Sequence, residues 1–151
     1  EPLRVLELDR DGSDTGIARA LAARPRQNAE HHIAPDGGRY DVVVATALST
    51  ALSTALSTAL STALSTTGRP EEEAAALVGL LSPGGRLLLL APVTEQLDLL
   101  ITGDALGPTA HPAERWRAAL TAAGCPTVLT LPEDGHPMGL LGQALFAARV
   151  D

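Results

Sequence analysis

Acidic side chains crowd the loop that follows the first apolar segment of the chain. Residues 3–8, with Glu7 near their end, lead into DRDGSDTG (residues 9–16) and then into an Ala-, Leu- and Arg-rich stretch. A strand, a loop and a helix in this order are typical of nucleotide-type cofactor sites, because backbone N–H groups and the helix N-terminus approach the ligand there. Such a loop needs glycine, since a Cβ on the contact side keeps the ligand away. Asp9, Asp11 and Ser13 therefore predict a cofactor loop that has lost its ligand.

Histidine supplies the other candidate chemistry. His111 precedes a predicted helix and His136 lies in a Pro-containing turn, so either could serve as a general base. His31 and His32 are adjacent, and on a strand they would point to opposite faces and could not chelate one ion together. Cys125 is the only cysteine, which excludes an intrachain disulfide and a cysteine-based metal centre. The sequence therefore predicts no metal site.

The composition limits the class of protein. The chain has 151 residues, 45% of them hydrophobic, and a net charge of −7, which fits one domain with its own core. Its 11 basic residues are all arginines scattered along the sequence, so no surface for nucleic acid or a membrane is predicted. Neither a signal peptide nor an apolar run of roughly 20 residues is found, and we expect a cytoplasmic protein. The start at Glu1 instead of methionine predicts a single domain, residues 1–151, of a longer chain.

Apolar periodicity and turn residues predict an alternating α/β order. Segments rich in Val and Leu, typical of buried strands, alternate with Ala- and Leu-rich segments typical of helices. Asp14 or Thr15 is expected to cap the first helix, and Gly124 to end the last. The three glutamates after Pro70 are expected on solvated helix surface, near the positive N-terminal end. The predicted strands are residues 3–8, 29–34, 40–46, 85–92, 128–131 and 145–150, and the predicted helices are residues 15–24, 70–81 and 111–123.

A low-complexity tract interrupts this order at residues 47–66, where ALST is repeated five times. On a helix, a period of four rotates the leucines by about 40° per repeat, so that they hold no single face. On a strand, the same period puts Leu and Thr on one side and Ala and Ser on the other. Both conformations remain open. We interpret the tract as the expansion of a tolerated surface element, with a repeated binding surface as the alternative.

An LLxPGGxLLLL segment and several weaker motifs carry a family resemblance over nearly the whole chain. The motifs are VLELDRDGSDTG, YDVVVAT, LVGLLSPGGRLLLLAP, the AAG after the Trp-bearing helix, and the closing GLLGQALFAARV. Together they resemble class I S-adenosylmethionine-dependent methyltransferases, in particular the C-methyltransferase domains embedded in polyketide and fatty acid synthases. The resemblance implies an α/β fold: a Rossmann-like, mostly parallel sheet with helices on both faces and a C-terminal antiparallel hairpin.

The resemblance also implies which residues would contact S-adenosylmethionine in an active enzyme. Glu7 matches the acid of the family motif, but Asp9, Asp11 and Ser13 occupy its three glycine positions. Two added carboxylates near the methionine carboxylate of the cofactor would repel it by roughly 1 to 4 kcal/mol. We therefore expect that no cofactor binds. The residues that would hold it in an active enzyme are Glu7, Gly12, Ser13 and Asp36.

The front half of the chain is shorter than the family fold. Only about thirty residues separate the first strand from Tyr40, where the family has two further strands and helices. One strand–helix unit is therefore expected to be missing, and so is an N-terminal lid over the substrate. The acid that would hold the ribose hydroxyls is then either Glu30 or Asp36, and each could equally be a surface or turn carboxylate.

Three functional hypotheses follow. The leading one is a non-catalytic, structural methyltransferase-like domain of a multidomain polyketide synthase, whose partners are the neighbouring domains. The first alternative is an active C-methyltransferase that acts on a carrier-bound acyl chain, with His111 or His136 as its base. The second is a non-catalytic ketoreductase-type Rossmann fragment, because GSDTGIARALA resembles the TGxxxGxG turn of short-chain dehydrogenases. The chain has no lysine for the Tyr-x-x-x-Lys pair of that family. Only the methyltransferase fold inserts an antiparallel strand at the C-terminal edge of its sheet.

Overall fold

The computed structural model describes residues 1–8, 16–24, 28–46, 69–94 and 110–151. The ALST tract at residues 47–66 lies outside the described residues. Asp9, Asp11, Gly12, Ser13, Asp14 and Thr15 also lie outside them, so the structure tests neither the acidic loop nor the predicted helix cap.

The order of strands and helices along the described residues is the one that the sequence predicts. The strands are β1 (Leu3–Leu8), β2 (Ala29–His32), β3 (Tyr40–Thr46), β4 (Leu81–Pro92), β5 (Thr127–Leu131) and β6 (Gln143–Arg149). The helices are α1 (Ile17–Ala22), α2 (Pro70–Gly79) and α3 (Ala113–Ala122), and a 3₁₀ helix (Pro137–Leu141) joins β5 to β6. None of the described helices is long and apolar enough to cross a membrane.

The six strands form one mixed sheet in the order β2-β1-β3-β4-β6-β5. The first four strands of this order are parallel, while β6 is antiparallel to both of its neighbours, β4 and β5. An antiparallel strand inserted at this edge is what the methyltransferase resemblance predicts. The ketoreductase hypothesis predicts a continuously parallel edge, and the sheet disagrees with it.

The connection between β2 and β3 contains no strand–helix unit. These two strands flank β1 on opposite sides, and the chain passes from one to the other within residues 33–39. A crossover between parallel strands ordinarily takes a dozen or more residues. The short connection is possible here because β2 has only four residues. The chain therefore travels only a short distance back from the end of β2 to the start of β3. The fold is therefore a truncated form, as the sequence predicts.

One face of the sheet carries the core. Alternate residues of a strand point to opposite faces, and one of the two sets is fully buried beneath α2 and α3. The other set is half-buried except on β1, where Val5 and Glu7 are buried, and α1 has no buried residue. The buried set includes Leu6, Val43, Leu87, Leu89 and Phe146, packed with Leu77, Trp116 and Leu120 of the helices, and the half-buried set includes Val42, Val44, Leu88, Leu90, Leu145 and Ala147.

Most predicted boundaries differ from the observed ones by one to four residues, and two of the differences have clear local reasons. Helix α1 begins later than predicted, after Gly16, whose φ of 83° is favourable only for glycine. Strand β4 begins at Leu81 instead of residue 85, because a bulge lies between its first pair, Tyr40 with Leu81, and the regular pairing that starts at Arg86. Gly85 is required in this bulge, since a Cβ there would lie 2.7 Å from a backbone oxygen.

Candidate functional site

The strand order defines where a ligand would bind. The chain leaves β1 toward β2 on one side and β3 toward β4 on the other, so the order reverses between β1 and β3. In open α/β sheets, ligands bind outside the carboxyl ends of the strands at such a reversal. The described residues at these ends are Glu7, Leu8 and Thr46. The loops that follow, residues 9–15 and 47–68, lie outside the described part of the chain.

Glu7 is committed to an internal partner. Its side chain is buried, and its Oε2 accepts a hydrogen bond of 2.8 Å from Nε2 of His31 on the neighbouring strand β2. The pairing register explains the contact, because His31 lies opposite Val5 and therefore shares a face with Glu7, two residues further along β1. A buried carboxylate requires such a partner. The acid that the sequence assigns to a cofactor thus holds β1 and β2 together.

Asp36 lies in a second polar cluster, away from the carboxyl ends of the strands. Its carboxylate accepts hydrogen bonds from Arg4, from the Tyr40 hydroxyl at 2.7 Å and from the Gly38 N–H at 2.9 Å. The guanidinium of Arg4 also stacks on the Tyr40 ring, 4.7 Å from its centroid. The Tyr40 hydrogen bond, followed by that of Gly38, lowers the pKa of Asp36 to about 2. Arg4 lies in the first half of β1, so the cluster holds the 33–39 connection near the amino ends of the strands. A cofactor would bind at the opposite, carboxyl ends.

The carboxyl end of β2 presents no acid among the described residues. Glu30, the other candidate for the ribose, is exposed and lies near Arg4 and His32. The strand ends at His32, and the exposed Ile33 follows it. Neither acid that the sequence proposes for the ribose therefore lies at the end of β2, where the resemblance leads us to expect it.

His111 lies at the end of β4, where its backbone N–H donates to the Pro92 carbonyl. Its Nδ1 accepts a hydrogen bond of 3.2 Å from Arg115, whose guanidinium also donates to both carboxylate oxygens of Glu71. The Arg115 hydrogen bond lowers the pKa of Glu71 to about 2. A general base needs an available lone pair. The Nδ1 lone pair of His111 instead helps to join the first turns of α2 and α3.

His136 caps the 3₁₀ helix between β5 and β6. Its Nδ1 accepts a hydrogen bond of 3.2 Å from the Met138 backbone N–H. Because β4 and β6 separate β5 from the strand reversal, the structure does not bring His136 together with Glu7. The predicted site residues that are described, Glu7, Asp36, His111 and His136, thus fall into four separate local structures.

The sequence does not predict the burial of Glu73. The glutamates of α2 were expected on solvated surface, but Glu73 is only 7% exposed. Burial, and to a smaller extent the charge of Glu72, raises the pKa of Glu73 to about 7. Its spacing from Ala76 and Leu77, three and four residues along the helix, is the signal that could have placed it on the core face.

Comparisons with known proteins agree with this topology. Over 99% of its length the chain matches the crystal structure of the CurJ carbon methyltransferase with a TM-score of 0.59 at 19% identity. The citrinin polyketide synthase CMeT domain matches with a TM-score of 0.54 at 22% identity over 98% of the chain, and an O-methyltransferase family protein from Burkholderia thailandensis with 0.57 at 18% over 99%. The chain has a class I methyltransferase fold. It spans about half of each of these three structures, 49%, 46% and 51%. No family model and no curated protein matches the chain.

Among the described residues, the acids that the sequence assigns to S-adenosylmethionine lie in other settings. The resemblance places the ribose acid at the end of β2, where the described residues are His32 and Ile33. The carboxylates of Glu7 and Asp36 already accept hydrogen bonds from His31 and from Tyr40. Within the described ranges, no group of three or more His, Cys, Asp or Glu side chains is placed to hold a metal ion either.

Removal of the Tyr40 hydroxyl tests the cluster around Asp36. We expect Tyr40→Phe to lower the free energy of unfolding by about 1 kcal/mol, because the hydroxyl donates to Asp36 and accepts from its backbone N–H. The pKa of Asp36 should rise from about 2 toward its ordinary value, since its largest cause is removed. Urea unfolding and an NMR titration measure the two effects. An unchanged Asp36 titration would contradict the assignment.

Proposed function

We propose that this chain is a methyltransferase-like domain that does not transfer methyl groups and serves as a structural part of a multidomain polyketide synthase. The observation that carries the proposal is the commitment of both candidate cofactor acids to the protein itself. Glu7 pairs with His31, and Asp36 binds Arg4 and Tyr40. The synthase context rests on the similarity to two carbon methyltransferase structures, one of which is a polyketide synthase domain.

The sequence of the first loop supports the same conclusion. Asp9, Asp11 and Ser13 place side chains where the family motif has glycine, and two of them carry charge. A cofactor would then meet both a steric obstacle and a repulsion of roughly 1 to 4 kcal/mol in this loop.

Calorimetric titration with S-adenosylmethionine tests the absence of cofactor binding. We expect no saturable binding, with a dissociation constant above about 1 mM, which corresponds to less than about 4 kcal/mol of binding free energy. S-adenosylhomocysteine serves as a second probe, because it lacks the positive charge that the loop aspartates would attract. A micromolar dissociation constant for either ligand overturns the proposal.

A restored site provides the matched positive experiment. The variant Asp9→Gly/Asp11→Gly/Ser13→Gly removes the obstacles in the loop, and Ile33→Asp adds a carboxylate at an exposed position after β2. We expect Ile33→Asp to strengthen binding about tenfold over the triple variant, because hydrogen bonds to a charged group contribute about 1.5 kcal/mol or more. The quadruple variant combines the triple variant with Ile33→Asp. If both variants bind the cofactor equally well, a carboxylate at the end of β2 does not contact the ribose.

The second candidate is an active C-methyltransferase for a carrier-bound acyl chain, and the similarity to the citrinin synthase domain favours it. A methylation assay with acyl-thioester substrates distinguishes the two. Under this alternative, His111→Gln or His136→Gln would abolish turnover. Under the proposal, the wild-type chain methylates these substrates no faster than a control without protein.

A further inference from the structure

An open cavity of about 510 Å³ lies at the carboxyl ends of β4 and β5. These two strands run parallel to each other, because each of them is antiparallel to β6 between them. The 3₁₀ helix connects β5 to β6 at the same edge of the sheet and forms one wall of the cavity. The volume falls within the range of roughly 300 to 1,000 Å³ that is typical of small-molecule pockets.

The walls of this cavity are mainly apolar. Leu90 and Leu145 belong to the half-buried face of the sheet, and Met138 and Leu141 of the 3₁₀ helix are more than half exposed. Apolar surface that remains in contact with water is stabilised when a ligand covers it, so the cavity favours a ligand with an apolar body. The apolar lining residues are Leu90, Leu131, Pro132, Met138, Leu141 and Leu145.

The polar part of the lining carries a negative charge, which Glu133 supplies. The Glu133 carboxylate has no ion-pair partner in the described part of the chain, and Arg117 near it donates to the Thr130 hydroxyl at 3.4 Å instead. His136 is neutral in this arrangement, because its Nδ1 accepts the 3.2 Å hydrogen bond of the 3₁₀ helix only when it carries no proton. Gln143, the third polar lining residue, is uncharged. No lining residue therefore balances the charge of Glu133.

We propose that this cavity binds a small primary amine with an aliphatic body, in its protonated form. The aliphatic body lies between the sheet and the 3₁₀ helix, and the ammonium group pairs with the Glu133 carboxylate. An anionic head group would be repelled by Glu133 and by Asp134 beside it in the sequence, and a neutral head group gains no ion pair. The net charge of −7 also attracts cations over anions. This binding does not depend on whether the domain transfers methyl groups.

Titration of the 151-residue chain with three ligands of equal chain length tests the head group. We expect n-octylammonium to bind with a dissociation constant of about 1 mM at low ionic strength. Octanol should bind about fivefold more weakly and octanoate about 25-fold more weakly, because an exposed ion pair and an exposed repulsion have effects of this size. Shortening the alkyl chain should weaken binding about fourfold for each CH₂ group removed. Octylammonium that does not saturate the protein at millimolar concentrations, or octanoate that binds as tightly, overturns the proposal.

The variant Glu133→Gln tests the position of the ammonium group. We expect it to weaken octylammonium binding about fivefold and to change octanol binding less than twofold. Asp134→Asn is the matched control, because Asp134 is the next residue, is exposed and does not line the cavity. It should change the affinity for octylammonium less than twofold. Equal losses in the two variants, or equal losses for the two ligands in Glu133→Gln, overturn the proposal.

The variant Met138→Ala tests the position of the aliphatic body. It keeps the backbone N–H that His136 accepts, but it removes apolar surface from the cavity wall. We expect it to weaken octylammonium and octanol binding alike, by about fivefold. Leu140→Ala is the matched control, since Leu140 lies on the same 3₁₀ helix, is 93% exposed and is not part of the lining. Circular dichroism establishes that all four variants fold. Unchanged affinity in Met138→Ala, or an equal loss in Leu140→Ala, overturns the proposal.

Discussion

The variant Glu73→Gln is expected to raise the free energy of unfolding by about 3 kcal/mol at pH 8 and by little at pH 4. The pKa of Glu73 is raised from 4.5 to about 7 by burial. Each pKa unit of difference between the folded and unfolded states corresponds to about 1.4 kcal/mol. Glutamine keeps the shape of the side chain and cannot ionise, so it removes the cost of a buried charge.

The pH dependence follows from the sign of this shift. Between about pH 4.5 and pH 7, the native state holds a proton on Glu73 that the unfolded state has released. Raising the pH through this range therefore favours unfolding, and the full destabilisation is present above about pH 7. In Glu73→Gln, the contribution of this residue to the slope of stability against pH should disappear.

Urea unfolding between pH 4 and pH 8 measures this difference. Glu72→Gln is the matched control, because Glu72 precedes Glu73 on α2 and is only half-buried. We expect the control to change stability by less than about 0.5 kcal/mol. If Glu73→Gln and wild type have parallel pH profiles, Glu73 does not titrate in the range that its burial requires.

The variant Glu7→Ala is expected to destabilise the protein by about 3 kcal/mol. Glu7 is 5% exposed, and its carboxylate is held by His31 at 2.8 Å. Removing one partner of a buried, hydrogen-bonded pair leaves the other without compensation. Replacing both partners by apolar residues, as in Glu7→Met/His31→Leu, should recover much of the loss, because such replacements are often neutral.

Thermal and urea unfolding of Glu7→Met, His31→Leu and the double variant Glu7→Met/His31→Leu form a complete double-mutant cycle. Glu30→Ala is the control on the same strand pair, since its exposed carboxylate should contribute less than about 1 kcal/mol. A loss in Glu7→Ala no larger than in Glu30→Ala would contradict the internal role of Glu7. It would also return Glu7 to the set of residues available for a cofactor.

Much of the fold follows from local patterns in the sequence. The apolar run YDVVVAT predicts the boundaries of β3 correctly, and the repeated turn residues separate the other elements within a few positions. The missing strand–helix unit was visible as missing length before Tyr40. Chain length and apolar periodicity are properties of short segments, and no contact between distant residues is needed to read them.

The hydrogen-bond partners of the candidate site residues could not be predicted from the sequence, because they are set by how the strands pair in the sheet. Asp36 is separated from Arg4 by 32 positions and Glu7 from His31 by 24, and only the strand register brings each pair together. Glu73 was expected in solvent because three acids in a row resemble an exposed surface, and the packing of α2 under the sheet decides which of them is buried.

The sequence by itself thus determined the order of the elements, the truncation of the fold and the loss of glycine from the first loop. These properties follow from backbone preferences and side-chain volumes along the chain. Only the tertiary structure decided that Glu7 and Asp36 serve internal pairs. The physical reason is that a carboxylate removed from water needs a hydrogen-bond donor. For Glu7 and Asp36, residues that are distant in the sequence supply this donor.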